Sequence, residues 1–135
     1  MADKSRIVVT LPGKRRVDAQ VRSHVVRTDQ PRDNGGEDTA PTPFQLFLSA
    51  VGTCAGIFVQ GFCAQRELST EGIRIVETPH LDASGTLVGV ELEIQVPPEF
   101  PEKYRETLVR VADQCAVKRA IEARPRFEVR AVMAE

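Results

Sequence analysis

The sequence predicts an α+β fold in one domain spanning residues 1–135, and three observations carry that prediction. Short runs of alternating apolar residues lie on both sides of one long segment, Pro43 to Ala64, that contains no charged residue. An amphipathic helical stretch follows the second set of runs. Nowhere does the pattern repeat as strand-helix-strand or carry a glycine-rich phosphate loop, which excludes a doubly wound parallel sheet. At 135 residues the chain can bury about two thirds of its unfolded surface without a metal or disulfide staple.

Alternation at Ile7, Val8, Val9 and Leu11, then at Val17, Ala19 and Val21, then at Val25 and Val26, predicts three strands of an antiparallel meander, with Leu11 to Lys14 as the first turn. Thr28 to Pro43 is rich in Pro, Gly, Asp and Asn and reads as an irregular loop. Thr42 suits a helix N-cap and Pro43 the first helical position. The helix from Pro43 to Ala64 is then buried on most of its circumference. Its length would also cross a bilayer. Gln45, Ser49, Thr53, Gln60, three glycines and the lack of a flanking basic cluster argue for a core helix and against a membrane partner. Ser49, Gly52 or Thr53, Gly56 and Gln60 make one face narrow, so a second helix, that of a partner subunit among the possibilities, is expected to pack there.

Beyond the helix, Gly72 to Val76 and Leu87 to Val96 read as strands joined through a turn at Asp82 to Gly85, and Pro97-Pro98 ends the second. Pro101 to Ile121 is helical, with Tyr104, Leu108, Val111 and Cys115 on one stripe, and Phe127 to Met133 is expected to close the fold as a last strand.

Composition narrows the function. With 18 basic and 19 acidic residues the net charge is -1, which gives no field to hold a nucleic acid. The one dense basic run, Lys14-Arg15-Arg16 with Arg22 nearby, reads as a solvated hairpin tip. The first residues lack the apolar stretch of a secretory signal, so the expected location is cytoplasmic and the thiols start reduced. Three cysteines, an odd number, argue for reactive or buried thiols over a disulfide framework. No metal site is expected, because the only imidazoles are His24 and His80 and no paired Cys or His spacing exists. Either histidine could reach Cys54 as a hydrolytic dyad, but each reads more simply as a strand or loop residue.

Cys54 and Cys63 lie on opposite sides of the long helix, roughly 13 Å apart along its axis, too far to bond each other. Cys115 is the remaining possible partner. Cys63 reads as an inert small hydrophobe, and Cys54 as the residue to carry any chemistry.

The stretch Pro43-Phe44-Gln45-Leu46-Phe47-Leu48-Ser49-Ala50-Val51-Gly52-Thr53-Cys54 resembles the long-helix motif of the OsmC/Ohr family, and Cys115-Ala116-Val117 resembles that family's second cysteine motif, usually Cys-Pro-Val. Gly35-Gly36 with Asp38 ahead of the helix, Glu71-Gly72 at a strand entry, and the element order agree. The resemblance implies an interlocked homodimer, its long central helices wrapped by antiparallel sheets, that reduces organic hydroperoxides or hydrogen peroxide in oxidative-stress defence. By that analogy Cys54 is the peroxidatic thiolate, Cys115 the resolving thiol, and an external dithiol the reductant, with no cofactor, whether metal, haem or flavin, involved.

One departure from the family pattern matters. The family's peroxidases carry a glutamate ten residues before the first cysteine, where this chain has Phe44. That carboxylate helps hold an arginine over the thiolate, lowering its pKa. Arg15 is the candidate arginine, in phase with Val17, Ala19 and Val21 and so expected to point inward, with Arg16 facing solvent; Glu37 could supply a carboxylate from the loop. Ala116 in place of proline is expected to affect only the helix turn. Three readings stand at this point: a thiol peroxidase, a relative with little peroxidase activity that binds a small apolar or thiol-bearing molecule, and a structural dimer.

Overall fold

The computed structural model describes residues 5–134, which fall into two compact units dividing between Ser49 and Ala50, inside the long helix. In the first unit, strands β1 (Ile7–Gly13), β2 (Arg16–Val21) and β3 (His24–Thr28) form an antiparallel sheet in that order. Ile7 lies opposite Val21, Val9 opposite Ala19, and Ala19 opposite Val26, so the apolar alternation falls on one face. The expected turn at Leu11 to Lys14 is corrected. β1 continues through Pro12 across a register irregularity between Thr10 and Gly13, where a residue without an N–H is tolerated, and Lys14-Arg15 makes the turn.

The loop after β3 closes on Asp29, which is 1 % exposed. Its carboxylate accepts hydrogen bonds from the Gln30 amide at 2.8 Å and from the Thr39 amide and hydroxyl at 3.1 and 2.6 Å. The Thr39 hydroxyl, then these amides, pull its pKa down to about 2. Gly36 allows the loop to double back, since a Cβ there would stand 1.9 Å from the Gln30 carbonyl oxygen. Helix α1 (Pro43–Gln65) starts where the sequence places it. Thr42 Oγ1 accepts from the Gln45 amide at 3.1 Å and Gln45 Oε1 accepts from the Thr42 amide at 2.9 Å, a reciprocal cap that satisfies two terminal donors.

The second unit holds most of α1, the hairpin of β4 (Arg74–Leu81) and β5 (Leu87–Gln95), and helices α2 (Arg105–Ala112) and α3 (Ala116–Glu122). Ala55, Val59, Phe62 and Cys63 share one face of α1 and meet Phe100, Leu108 and Ala112, with Ile73, Ile75, Leu92 and Ile94 of the hairpin against them. By length and composition α1 could cross a bilayer; here one face of it forms a protein core.

One expectation is met by an element the sequence did not suggest, and one is corrected. At Gly52 and Gly56 of α1 the element that approaches closely is β4 of the same chain, with Ile75 Cδ1 3.8 Å from the Cβ position of Gly56 and the Glu77 carboxylate beside Gly52, while Ser49, Thr53 and Gln60 of the expected face are exposed. Small residues permit close approach by any element, and an apolar strand uses it as well as a helix does. The closing strand at Phe127 to Met133 is absent among the described residues. Phe127, Val129, Val132 and Met133 are exposed there, because alternation gives a segment strand character while its backbone still needs a sheet edge to pair with.

Candidate active site

The site is built where α1 meets the break between α2 and α3. The apolar stripe of the second helical region is interrupted at Asp113 to Cys115, and Cys115, with extended backbone (φ -55°, ψ 124°), becomes the N-cap of α3. Its Sγ accepts from the Lys118 amide at 3.4 Å and donates to the Val51 carbonyl of α1 at 3.8 Å. This brings Cys115 to the half-buried Cys54. The Cys54 pKa is held below the ordinary thiol value by the Val117 amide first, then by the Cys115 side chain, with a smaller contribution from the Ala116 amide. Opening a helix frees amides with no intrahelical partner, and a thiolate is a good acceptor for them.

Cys63 stands apart, fully buried in the core. Burial pushes its thiol up, against a weaker pull from Arg66. It lacks the thiolate character that peroxide chemistry requires.

Arg15 occupies the exposed turn between β1 and β2, and its Cγ lies 3.9 Å from the Cβ position of Gly35. The strand-phase argument that pointed it inward fails because Arg15 precedes the strand. Arg16, expected at solvent, is half-buried and pairs with Asp18 at 3.5 Å. Glu37 bonds Lys14 at 3.1 Å. Phe44 stacks on Phe47 with centroids 5.9 Å apart, both exposed. His24 opens β3, and His80 pairs with Glu91 at 3.5 Å on the hairpin. Among the described residues no three His, Cys, Asp or Glu side chains converge to hold a metal ion.

Sequence reading missed the amides of Ala116 and Val117, because only the helix break aims them. The replacement of proline by alanine at position 116 was the available signal: Ala116 is the first residue of α3, where proline fits well but supplies no N–H. Ala116→Pro is therefore expected to keep the fold while raising the Cys54 titration midpoint by a few tenths of a pH unit, a single weak hydrogen bond's worth; pH-dependent alkylation of Cys54 followed by mass spectrometry checks it.

Fold and site together define an α+β protein of paired thiols, one on a long apolar helix and the other capping a short one. The sequence model of the OsmC-like protein family matches residues 35–130, and the chain belongs to that family. Solved structures agree in fold. A putative osmotic stress induced and detoxification response protein from Psychrobacter arcticus matches with a TM-score of 0.75 at 21% identity, over 89% of this chain and 90% of its own. An OsmC like protein from Mycoplasma pneumoniae gives 0.70 at 14% identity, over 92% and 91%. A putative organic hydroperoxide resistance protein from Vibrio cholerae, with captopril bound in one of its active sites, gives 0.57 at 18% identity, over 92% and 89%. No curated protein sequence matches the chain.

Proposed function

We propose that this protein is a thiol-dependent peroxidase that reduces organic hydroperoxides or hydrogen peroxide in the cytoplasm, acting as a homodimer. The observation that carries the reading is the pairing of Cys54, with its depressed pKa, and Cys115 at the opening of α3. The Cys54 thiolate attacks one peroxide oxygen; an S–O bond forms, the O–O bond breaks, and the departing alkoxide takes a proton from water to leave as an alcohol. Cys54 is then a sulfenic acid. Cys115 attacks its sulfur, giving a disulfide and releasing water, and an external dithiol returns both thiols by two-electron exchange.

The homodimer reading is supported by two exposed features. Thr53, Ile57, Gln60, Gly61 and Ala64 line one uncharged side of α1, and Phe127 to Met133 is an unpaired segment of strand character. A groove of about 330 Å³ between α1 and α2, with Ile57, Phe58, Gly61 and Val111 on its walls, adjoins the same side.

The deciding experiment is a free-thiol titration before and after one equivalent of cumene hydroperoxide. Loss of two thiols per chain, with Cys54 and Cys115 joined in the peptide map, is the expected result; three intact thiols would overturn it. The second reading, a binder of a small apolar or thiol-bearing molecule, draws on the exposed stack of Phe44 and Phe47. It becomes the better one if the protein consumes no more peroxide than Cys54→Ser does.

A further inference from the structure

The hairpin contributes one residue that breaks its own pattern. Ile73, Ile75 and Glu77 alternate onto the inner side, and Glu77 pairs directly across with Leu92. A carboxyl group thus stands on an apolar sheet face. Its Oε2 is buried with no hydrogen-bond partner, and its Oε1 lies 2.5 Å from the Cβ position of Gly52, a contact that any residue but glycine would deny it. An unpartnered buried acceptor is costly, and nothing in the packing of the hairpin calls for one.

Gly52 belongs to the peptide unit whose carbonyl is that of Val51. That carbonyl accepts the Cys115 S–H at 3.8 Å. Glu77 lies beside Gly52 and Cys115 at the Val51 carbonyl, so both border the one Val51–Gly52 peptide group. Inside α1 the Gly52 N–H is held in the helix ladder, and a carboxylate beside it polarises the peptide group so that its carbonyl becomes a somewhat stronger acceptor. The single Cys115 proton has two possible acceptors, the Val51 carbonyl and the Cys54 sulfur, so the strength of the first decides how much reaches the second.

We propose that Glu77 is a positioning residue for the thiol pair, setting through the Val51–Gly52 peptide whether the Cys115 S–H points at the Val51 carbonyl or at the Cys54 sulfur. The proposal rests on reading Cys54 and Cys115 as the reacting pair. Burial raises the Glu77 carboxyl above the ordinary range, opposed by a smaller pull from the Gly52 amide. Leu92, with Val90 and Ile94 diagonal to it, faces Glu77 from β5, Ile75 and Pro79 flank it on β4, and Gly52 meets it from α1. None of these is charged. His80, Glu91 and Glu93 alternate onto the outer side of the hairpin, and the thiols of Cys54 and Cys115, with Lys118 beside Cys115, are the titratable groups beyond the peptide. As a carboxylate, Glu77 favours the Val51 acceptor and keeps the Cys54 midpoint higher than it would otherwise be.

The test is the pH dependence of Cys54 alkylation by iodoacetamide, resolved by mass spectrometry, in reduced parent, Glu77→Gln, Cys115→Ala and the double variant. Glu77→Gln keeps shape and removes charge, and is expected to lower the midpoint by a few tenths of a pH unit, since polarisation changes the strength of a weak hydrogen bond only in part. The shift is expected to vanish in the Cys115→Ala background. Gly52→Ala, which displaces the carboxyl without neutralising it, is expected to lower the midpoint in the same direction and covers the case of a Glu77 variant that fails to fold. An unchanged midpoint, or a drop that survives without Cys115 and so reflects charge acting through space, overturns the proposal. Peroxide consumption is measured separately. A parent that shows the shifts but reduces no hydroperoxide would sink the peroxidase reading and leave the link from Glu77 to the thiols standing.

Discussion

The Cys115→Ser protein is expected to reduce one equivalent of hydroperoxide per chain and then stop. Cys54 keeps most of the amide contacts that depress its pKa, so the first attack proceeds. The sulfenic acid then has no neighbouring thiol to condense with. Serine is also the better helix cap, so α3 should survive the change, and loss of turnover cannot be assigned to misfolding if the circular dichroism melt is unaltered. Trapping with a cyclic 1,3-dione should label Cys54 in this variant and label little in the parent. Cys54→Ser should consume nothing at all. Continued multiple turnover by Cys115→Ser would remove Cys115 from the resolving role while leaving Cys54 as nucleophile.

A second large effect is expected at Ile57. Its side chain is 66 % exposed in the single chain, in the middle of an uncharged side of α1. Burial of one such side chain is worth about 1.5–3 kcal/mol, and a two-fold axis counts it twice. Ile57→Asp should thus weaken the proposed dimer by about 3–6 kcal/mol, roughly a hundred-fold to ten-thousand-fold in Kd, before the cost of burying the new charges is added. Sedimentation should find the parent dimeric and the variant monomeric at micromolar concentration. A parent that sediments as a stable monomer would end the dimer reading.

What was legible in the sequence divides along a physical line. Local patterns carried through: the meander, the start of α1 at Thr42-Pro43, and the hairpin each follow from periodicity and capping chemistry that neighbouring residues specify. What depended on a partner did not. The glycines of α1 announce that something approaches closely without saying what, and at Gly52 and Gly56 it is β4. Phe127 to Met133 has the alternation of a strand and no edge among the described residues to pair with. In the site, the two cysteines were legible from their contexts. Cys115 as a helix cap was not, since the stripe through Tyr104, Leu108, Val111 and Cys115 reads as one continuous helix until the turn at Asp113 and Gln114 breaks it. The inward phase given to Arg15 assumed a strand that in fact begins one residue later. Glu77 could have been noticed as the one carboxylate at an inner position of an alternating strand.

The cap on α3 gives the protein's redox chemistry a thermodynamic bias. Reduced Cys115 offers a lone pair to the Lys118 amide; in the proposed disulfide with Cys54 that sulfur is tied to a second sulfur and must turn toward it. Oxidation then gives up part of a cap worth at most about 1 kcal/mol, which for a two-electron couple corresponds to about 20 mV. The strain falls on the oxidised form and moves the midpoint potential upward, so a dithiol of ordinary reducing power can return the pair. The seven residues of α3 also become a reporter of oxidation state, their amides exchanging with solvent faster when the disulfide is closed than when it is open.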